Sequence, residues 1–133
     1  MTRLTILYEG WLARLSVDGA RKAVWLERTN ETARDTNAAL RELENLREAM
    51  LGIPSAKMAL VVDTRRTMGR NDPDFEKRIF PAFHAFTERF AKVAVLVATS
   101  TGRMQMTRLV RERGLEYRIF DDEMKARAFA GLE

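Results

Sequence analysis

Two short apolar runs constrain the fold of this chain more than any other feature. Ala59–Val62 and Val93–Ala98 contain no polar residue, so neither has the two-residue alternation of a strand with one face in water. Segments of this length, apolar on both sides, suit a parallel sheet covered by helices on each face. Asp63 closes the first run, and a basic loop, Thr64–Asn71, follows it. Asp72-Pro73-Asp74 then reads as a helix start, with Asp72 as N-cap, Pro73 in the first helical position and Asp74 near the positive helix end. In that helix Phe75, Ile79, Phe83, Phe86 and Phe90 recur at helical spacing, a stripe aimed at the core. Pro81 removes one backbone donor and predicts a kink or interruption. Phe80 and His84 lie off the stripe, as a small flanking patch, an oligomer contact or simply a loosely covered surface.

The N-terminal part has a different rhythm. Arg3–Tyr8 and Leu12–Val17 are rich in strand formers, and Ala13, Leu15 and Val17 alternate with Arg14 and Ser16. Asp18-Gly19 supplies the signal of a type I′ hairpin. Ala23–Arg28 is the return strand, with Val24 and Leu26 on one face and Trp25 on the other. The cluster Thr29-Asn30-Glu31-Thr32 offers helix caps. After it Thr36, Ala39, Leu40, Leu43, Leu46 and Met50 form the apolar side of a helix of about five turns. Arg41, Glu42, Glu44, Asn45 and Glu48 form its polar side, and Arg47 snorkels at the edge. Gly52 and Pro54 end it.

Beyond Ala98 the hydroxyls of Thr99-Ser100-Thr101 cap a helix that Gly114 ends. Met106, Leu109 and Val110 share one of its faces; Met104, Arg108 and Arg111 share the opposite one. Glu116–Phe120 is a last strand. Asp121-Asp122-Glu123 caps a last helix, expected to pack Met124, Ala128 and Leu132. The order predicts an α/β domain spanning residues 1–133: a mixed sheet of about five strands with an N-terminal antiparallel hairpin and about four flanking helices.

Composition narrows the chemistry. The chain has no cysteine and a single histidine, His84, which excludes disulfides, thiolate chemistry and multi-histidine zinc sites. No metal and no cofactor is implied. No run is apolar enough to span a bilayer and no signal sequence stands at the N-terminus, so a cytoplasmic protein is expected. The net charge is +4, but 19 acidic residues are interspersed with 23 basic ones, and the reading is of a protein that does not bind nucleic acid.

In an open α/β sheet, ligands and partners dock beyond the carboxyl ends of the strands. Asp63, Thr64, Arg65, Arg66, Thr67, Arg70, Asp72 and Asp74 are therefore the candidate partner- or anion-binding residues. Guanidinium groups fork onto carboxylates and phosphates, although Asp72 and Asp74 compete for the helix dipole. Asp63 is also expected to cap its own loop, or to pair with Arg65, Arg66 or Arg70 in a surface ion pair contributing about 1 kcal/mol or less. A phosphatase would need an acid two residues after Asp63, where Arg65 stands; Ser16, Ser55 and Ser100 lack a nucleophile elbow; and the phosphate-loop and dinucleotide glycine patterns are absent. No catalytic residue is assigned. Met104, Arg108 and Arg111 form a second candidate surface.

The stretches LVVDTRRTMGRNDPDFE, FAKVAVLVATSTGRMQMTRLVRERG and EYRIFDDEMKARAFAGL resemble the bacterial STAS-like, or anti-sigma-factor-antagonist-like, domains, a family grouped with the CRAL-TRIO lipid-binding fold. The resemblance runs from Leu12 to Leu132. It implies a small α/β domain that binds proteins or small ligands without catalysing a reaction. Phosphorylated members carry a hydroxyl at the start of the helix after the central strand. Here that place is Asn71-Asp72-Pro73-Asp74, and the nearest hydroxyls are Thr64 and Thr67 in the loop. The resemblance thus implies a regulatory or scaffolding module that binds a protein partner through this loop; the N-terminal ribbon and the Phe80–His84 flank offer surfaces for a homodimer. Its alternatives are a CRAL-TRIO-type small-ligand or lipid binder, with a tail under the Phe75–Phe90 helix, and a hydrolase built on Asp63.

Overall fold

The computed structural model describes residues 3–20, 22–29, 35–66 and 73–132, and of residues 73–76 the backbone. Six strands, β1 (Leu4–Glu9), β2 (Ala13–Asp18), β3 (Ala23–Arg28), β4 (Ala59–Asp63), β5 (Lys92–Leu96) and β6 (Tyr117–Phe120), lie in one sheet in sequence order. The first three pair antiparallel, and β3 to β6 pair parallel. The crossovers are helices: α1 (Thr36–Ala49), α2 (Pro73–Thr87) and α3 (Ser100–Arg113); α4 (Glu123–Ala130) follows β6. This is the mixed sheet and four-helix set that the sequence predicts.

The apolar runs are buried on both sides, which is why they lack alternation. Leu60 and Val62 join Leu15, Val24, Leu26, Val93 and Val95 beneath Leu46 and Met50 of the α1 end, Phe86 of α2, and Phe90. Ala59 and Val61 join Ala23, Trp25, Ala94 and Leu96 beneath Ala126, Ala130 and Leu132. The alanines of α4 let its backbone come close to the sheet. That helix packs mainly on β4, β5 and β6 and reaches β3 where Arg127 lies over Trp25, which leaves the same face of β1 and β2 largely outside its cover.

Several local expectations are corrected. Asp18-Gly19 is not the centre of a type I′ turn. Gly19 lacks the positive φ that such a turn requires, and the buried Asp18 carboxylate holds a wider loop by accepting from the backbone N–H groups of Ala20, Lys22 and Ala23 at 3.2, 2.6 and 2.8 Å. The N-cap of α1 is Asp35, whose carboxylate accepts from Ala38 N at 2.7 Å; of the expected cap cluster, 30–32 lie outside the described residues. The helix has 14 residues, nearly four turns. Glu42 is buried, because it stands three residues from Ala39 and four from Leu46 and so lies on the apolar stripe. The Tyr8 hydroxyl donates to its carboxylate, and burial together with Glu42 raises the phenol above its ordinary value.

The α2 helix continues through Pro81 to Thr87, and Phe90 lies in the turn after it. In α4 the buried face is Ala126 and Ala130, whereas Met124 is 75% exposed and Ala128 is also exposed. The helix is rotated from the expected phase so that Glu123 and Arg127, one turn apart, face the sheet's carboxyl edge.

Gly10 gives Glu42 and Tyr8 their room: a Cβ there would fall against Glu42 Oε1 and within 2.6 Å of the Tyr8 hydroxyl. Gly10→Ala should therefore break that part-buried hydrogen bond and lower the unfolding free energy by about 1–3 kcal/mol in urea titrations. Gly19→Ala, where a Cβ meets nothing within 4 Å, should leave the midpoint in place.

Candidate functional site

Residue parity builds the site. On β4 and its extension, residues 59, 61, 63 and 65 point to the α4 side. Asp63 is the last of them inside the strand, paired in register with Glu27 of β3 and Leu96 of β5. It is only 3% exposed, so its carboxylate needs compensation from the protein. Three groups supply it. Arg65 donates from Nε to Oδ1 at 2.9 Å and from Nη2 to Oδ2 at 2.8 Å, a bidentate fork. The backbone N–H of Arg65 donates to Oδ1 at 3.1 Å, and the Trp25 indole N–H to Oδ2 at 3.3 Å.

The network then closes on itself through α4. Arg65 Nη2 also reaches Glu123 Oε1 at 2.8 Å, and Arg127 Nε donates to Glu123 Oε2 at 2.9 Å. The Arg127 guanidinium lies over the Trp25 ring, 5.1 Å from its centroid. Five side chains from β3, β4 with its following loop, and α4 thus form a ring: Trp25 to Asp63, Arg65, Glu123, Arg127 and back. Hydrogen bonds to Asp63, supported by Glu123, raise the Arg65 guanidinium above its ordinary value. Arg127 first, then Arg65, holds the Glu123 carboxyl below the usual carboxylate range.

Beside this ring lies a cleft of about 280 Å³ over the uncovered part of the sheet. Leu4 and Ile6 form an apolar wall, Ser16 and Trp25 line it, and Arg65, Glu123 and Arg127 stand opposite. Ile6 is 51% exposed there.

The predicted loop residues separate into different roles. Asp63 and Arg65 are locked together, and the pair is no surface pair, because Asp63 is buried. Thr64 turns back toward β5: its hydroxyl and its N–H both donate to the Leu96 carbonyl at 2.9 Å. Arg66 is exposed and reaches Glu27 at 3.3 Å. Thr67, Arg70 and Asp72 lie outside the described residues, and Asp74 is placed only as backbone in the first turn of α2. Met104, Arg108 and Arg111 stand together on the exposed side of α3 and do not line this cleft. Trp25, Glu123 and Arg127 were not singled out from sequence as site residues. The signal that could have found the last two is their i, i+4 spacing behind the Asp122 cap.

Among the described residues no group of three or more His, Cys, Asp or Glu could hold a metal ion, and no helix is long and apolar enough to cross a membrane.

No protein-family model matches the chain, and no curated protein matches it. Its structure is similar to the crystal structure of an uncharacterised protein of the DUF3478 family with a SpoIIAA-like fold from Shewanella loihica. The TM-score is 0.60 over 97% of this chain and 93% of that chain, at 12% identity. The likeness is one of fold, and it is the STAS-like fold that the sequence resemblance implies.

Two outcomes follow from the ring. Arg65→Met leaves a buried carboxylate with two neutral donors and should lower stability by roughly 2 kcal/mol, read from the urea midpoint. The folded Glu123 carboxyl ionises below its unfolded value, so its contribution is present above about pH 4.3 and is lost as pH falls through the folded value. Glu123→Gln should accordingly flatten the loss of stability below about pH 4.3 in acid titrations followed by circular dichroism.

Proposed function

We propose, from the SpoIIAA-like fold and the closed ring at the carboxyl end of β4, that this chain is a non-catalytic regulatory or scaffolding module that recognises a protein partner at that edge. The observation that carries the reading is the engagement of Asp63. Its carboxylate meets the Arg65 fork, a backbone N–H and the indole N–H. A nucleophile or metal ligand needs an oxygen available to the substrate or ion, and these oxygens are already held. That disfavours a hydrolase built on Asp63.

What the edge presents instead is a pre-organised relief. The ring fixes α4 against β3 and β4, the cleft beside Ile6 accepts an apolar side chain, and the Arg66–Glu27 pair stands at its rim. An anchor in a pocket with charged groups around it is the usual energetic plan of a protein interface. Arg65 belongs to the support of this surface, and Arg66 to the surface itself. The Thr64 hydroxyl, bonded to Leu96, is a poor acceptor for a kinase-driven switch.

The CRAL-TRIO-type alternative places a ligand tail beneath α2. Phe86 and Phe90 occupy that space, with ring centroids 5.8 Å apart in an edge-to-face arrangement within the core cluster, which favours the protein-binding reading.

The test is an affinity purification from the native host with quantitative mass spectrometry. A partner captured by the unaltered protein should be lost with Ile6→Glu and with Arg66→Glu, both exposed changes that leave the circular dichroism spectrum unaltered. Retention of the same partners by both variants would remove this edge from consideration.

A further inference from the structure

The arginines of this protein are used in two opposite ways. At the carboxyl edge of β4, Arg65 and Arg127 are neutralised within the ring, and Arg66 faces Glu27. Along α3 and β6 the compensation is thinner, although Arg103 meets Asp121 at 3.7 Å. Segment 100–118 carries Arg103, Arg108, Arg111, Arg113 and Arg118 against only Glu112 and Glu116, and so holds most of the chain's +4 charge. Arg108 has one ion pair, at 3.8 Å to Glu112 a turn along the same helix, both side chains mostly exposed. Such a pair contributes little. Arg111 is exposed and makes no ion pair among the described residues. Met104 is 73% exposed, although the fold has half-buried positions on the opposite face of the helix for Met106, Leu109 and Val110. No residue of α3 is fully buried; the helix lies at the β6 edge with one whole side in water.

Met104, Arg108 and Arg111 stand at i, i+4 and i+7 and form a stripe about 10 Å long. We propose that this stripe is a docking surface for an acidic, amphipathic segment of a protein, which seats an apolar side chain on Met104 and places carboxylates on Arg108 and Arg111. The chemistry selects this occupant. Methionine is an adaptable apolar contact favoured at binding surfaces, and arginine forks onto carboxylates. A nucleic acid would meet Glu112 and Glu116 with its phosphates, and the basic stripe is shorter than the interfaces such proteins use. The surface is separate from the carboxyl edge of β4, and the inference stands whether or not that edge binds a partner. Together the two would make the domain a bridge.

The experiment uses the full chain and a fluorescein-labelled amphipathic peptide with leucines on one face and glutamates on the other, followed by anisotropy. The peptide should bind, and binding should weaken with added salt. Arg108→Glu combined with Arg111→Glu should abolish it, and the milder pair Arg108→Gln and Arg111→Gln should reduce it. Met104→Ser should weaken it roughly tenfold, and Arg66→Glu should leave it unchanged. Failure of the unaltered protein to bind the peptide would overturn the proposal. So would equal binding by the doubly reversed variant, or a loss on Arg66→Glu. Tighter binding to single-stranded RNA, or to vesicles of equal parts phosphatidylserine and phosphatidylcholine, would overturn it in favour of those partners.

Discussion

A carboxylate buried at the end of a parallel strand has to be compensated, and the rest of this edge is arranged around that requirement. Asp63 lies between β3 and β5, where water hardly reaches it. The Arg65 fork answers its charge from two residues further along the chain. Because Arg65 also grips Glu123, the pair fixes the start of α4 over the sheet. Because Glu123 holds Arg127, and Arg127 lies over Trp25, the far end of the network returns to the indole that donates to Asp63. A charge that would destabilise the fold if left alone thus becomes the joint between strand, loop and helix.

The same arrangement shapes the space left at this edge. Open α/β sheets concentrate ligand sites beyond their strand ends because loops diverge there and leave space. Here that space is partly filled by groups satisfying one another, and the remaining opening is displaced sideways, to the part of the sheet that α4 does not cover. The cleft between Ile6 and Arg127 is bounded by rigid elements, which lowers the ordering cost of binding. The polar groups around it are held in fixed directions by their bonds to one another.

Much of the architecture was legible in the sequence, and the reason is physical. Ala59–Val62 and Val93–Ala98 are apolar on both faces, so they admit a buried parallel strand and little else. Trp25 could be placed opposite Val24 and Leu26 from alternation alone. The caps Asp122 and Thr99 and the turn at Gly114 are local, and local rules found them. Asp63 was legible as a site residue because of its place at a strand end. What sequence could not separate was Arg65 from Arg66. The two are chemically identical neighbours, and only strand parity and the position of α4, about sixty residues away, assign one to the buried carboxylate and the other to the rim. Glu42 was misplaced because its charge was weighed above its helical position. The α4 stripe was misplaced because Met124 outweighs alanine in hydrophobicity, while close helix-to-sheet packing selects the small side chain.

The idea that Asp63 is consumed by the fold is most directly tested by a double-mutant cycle between Asp63→Asn and Arg65→Met, read as unfolding free energies in urea. A coupling of roughly 1.5–3 kcal/mol is expected, since either change alone strands its partner and the double change removes both charges. A coupling near zero, with Asp63→Asn harmless to stability, would contradict it and return Asp63 to the list of groups available for chemistry.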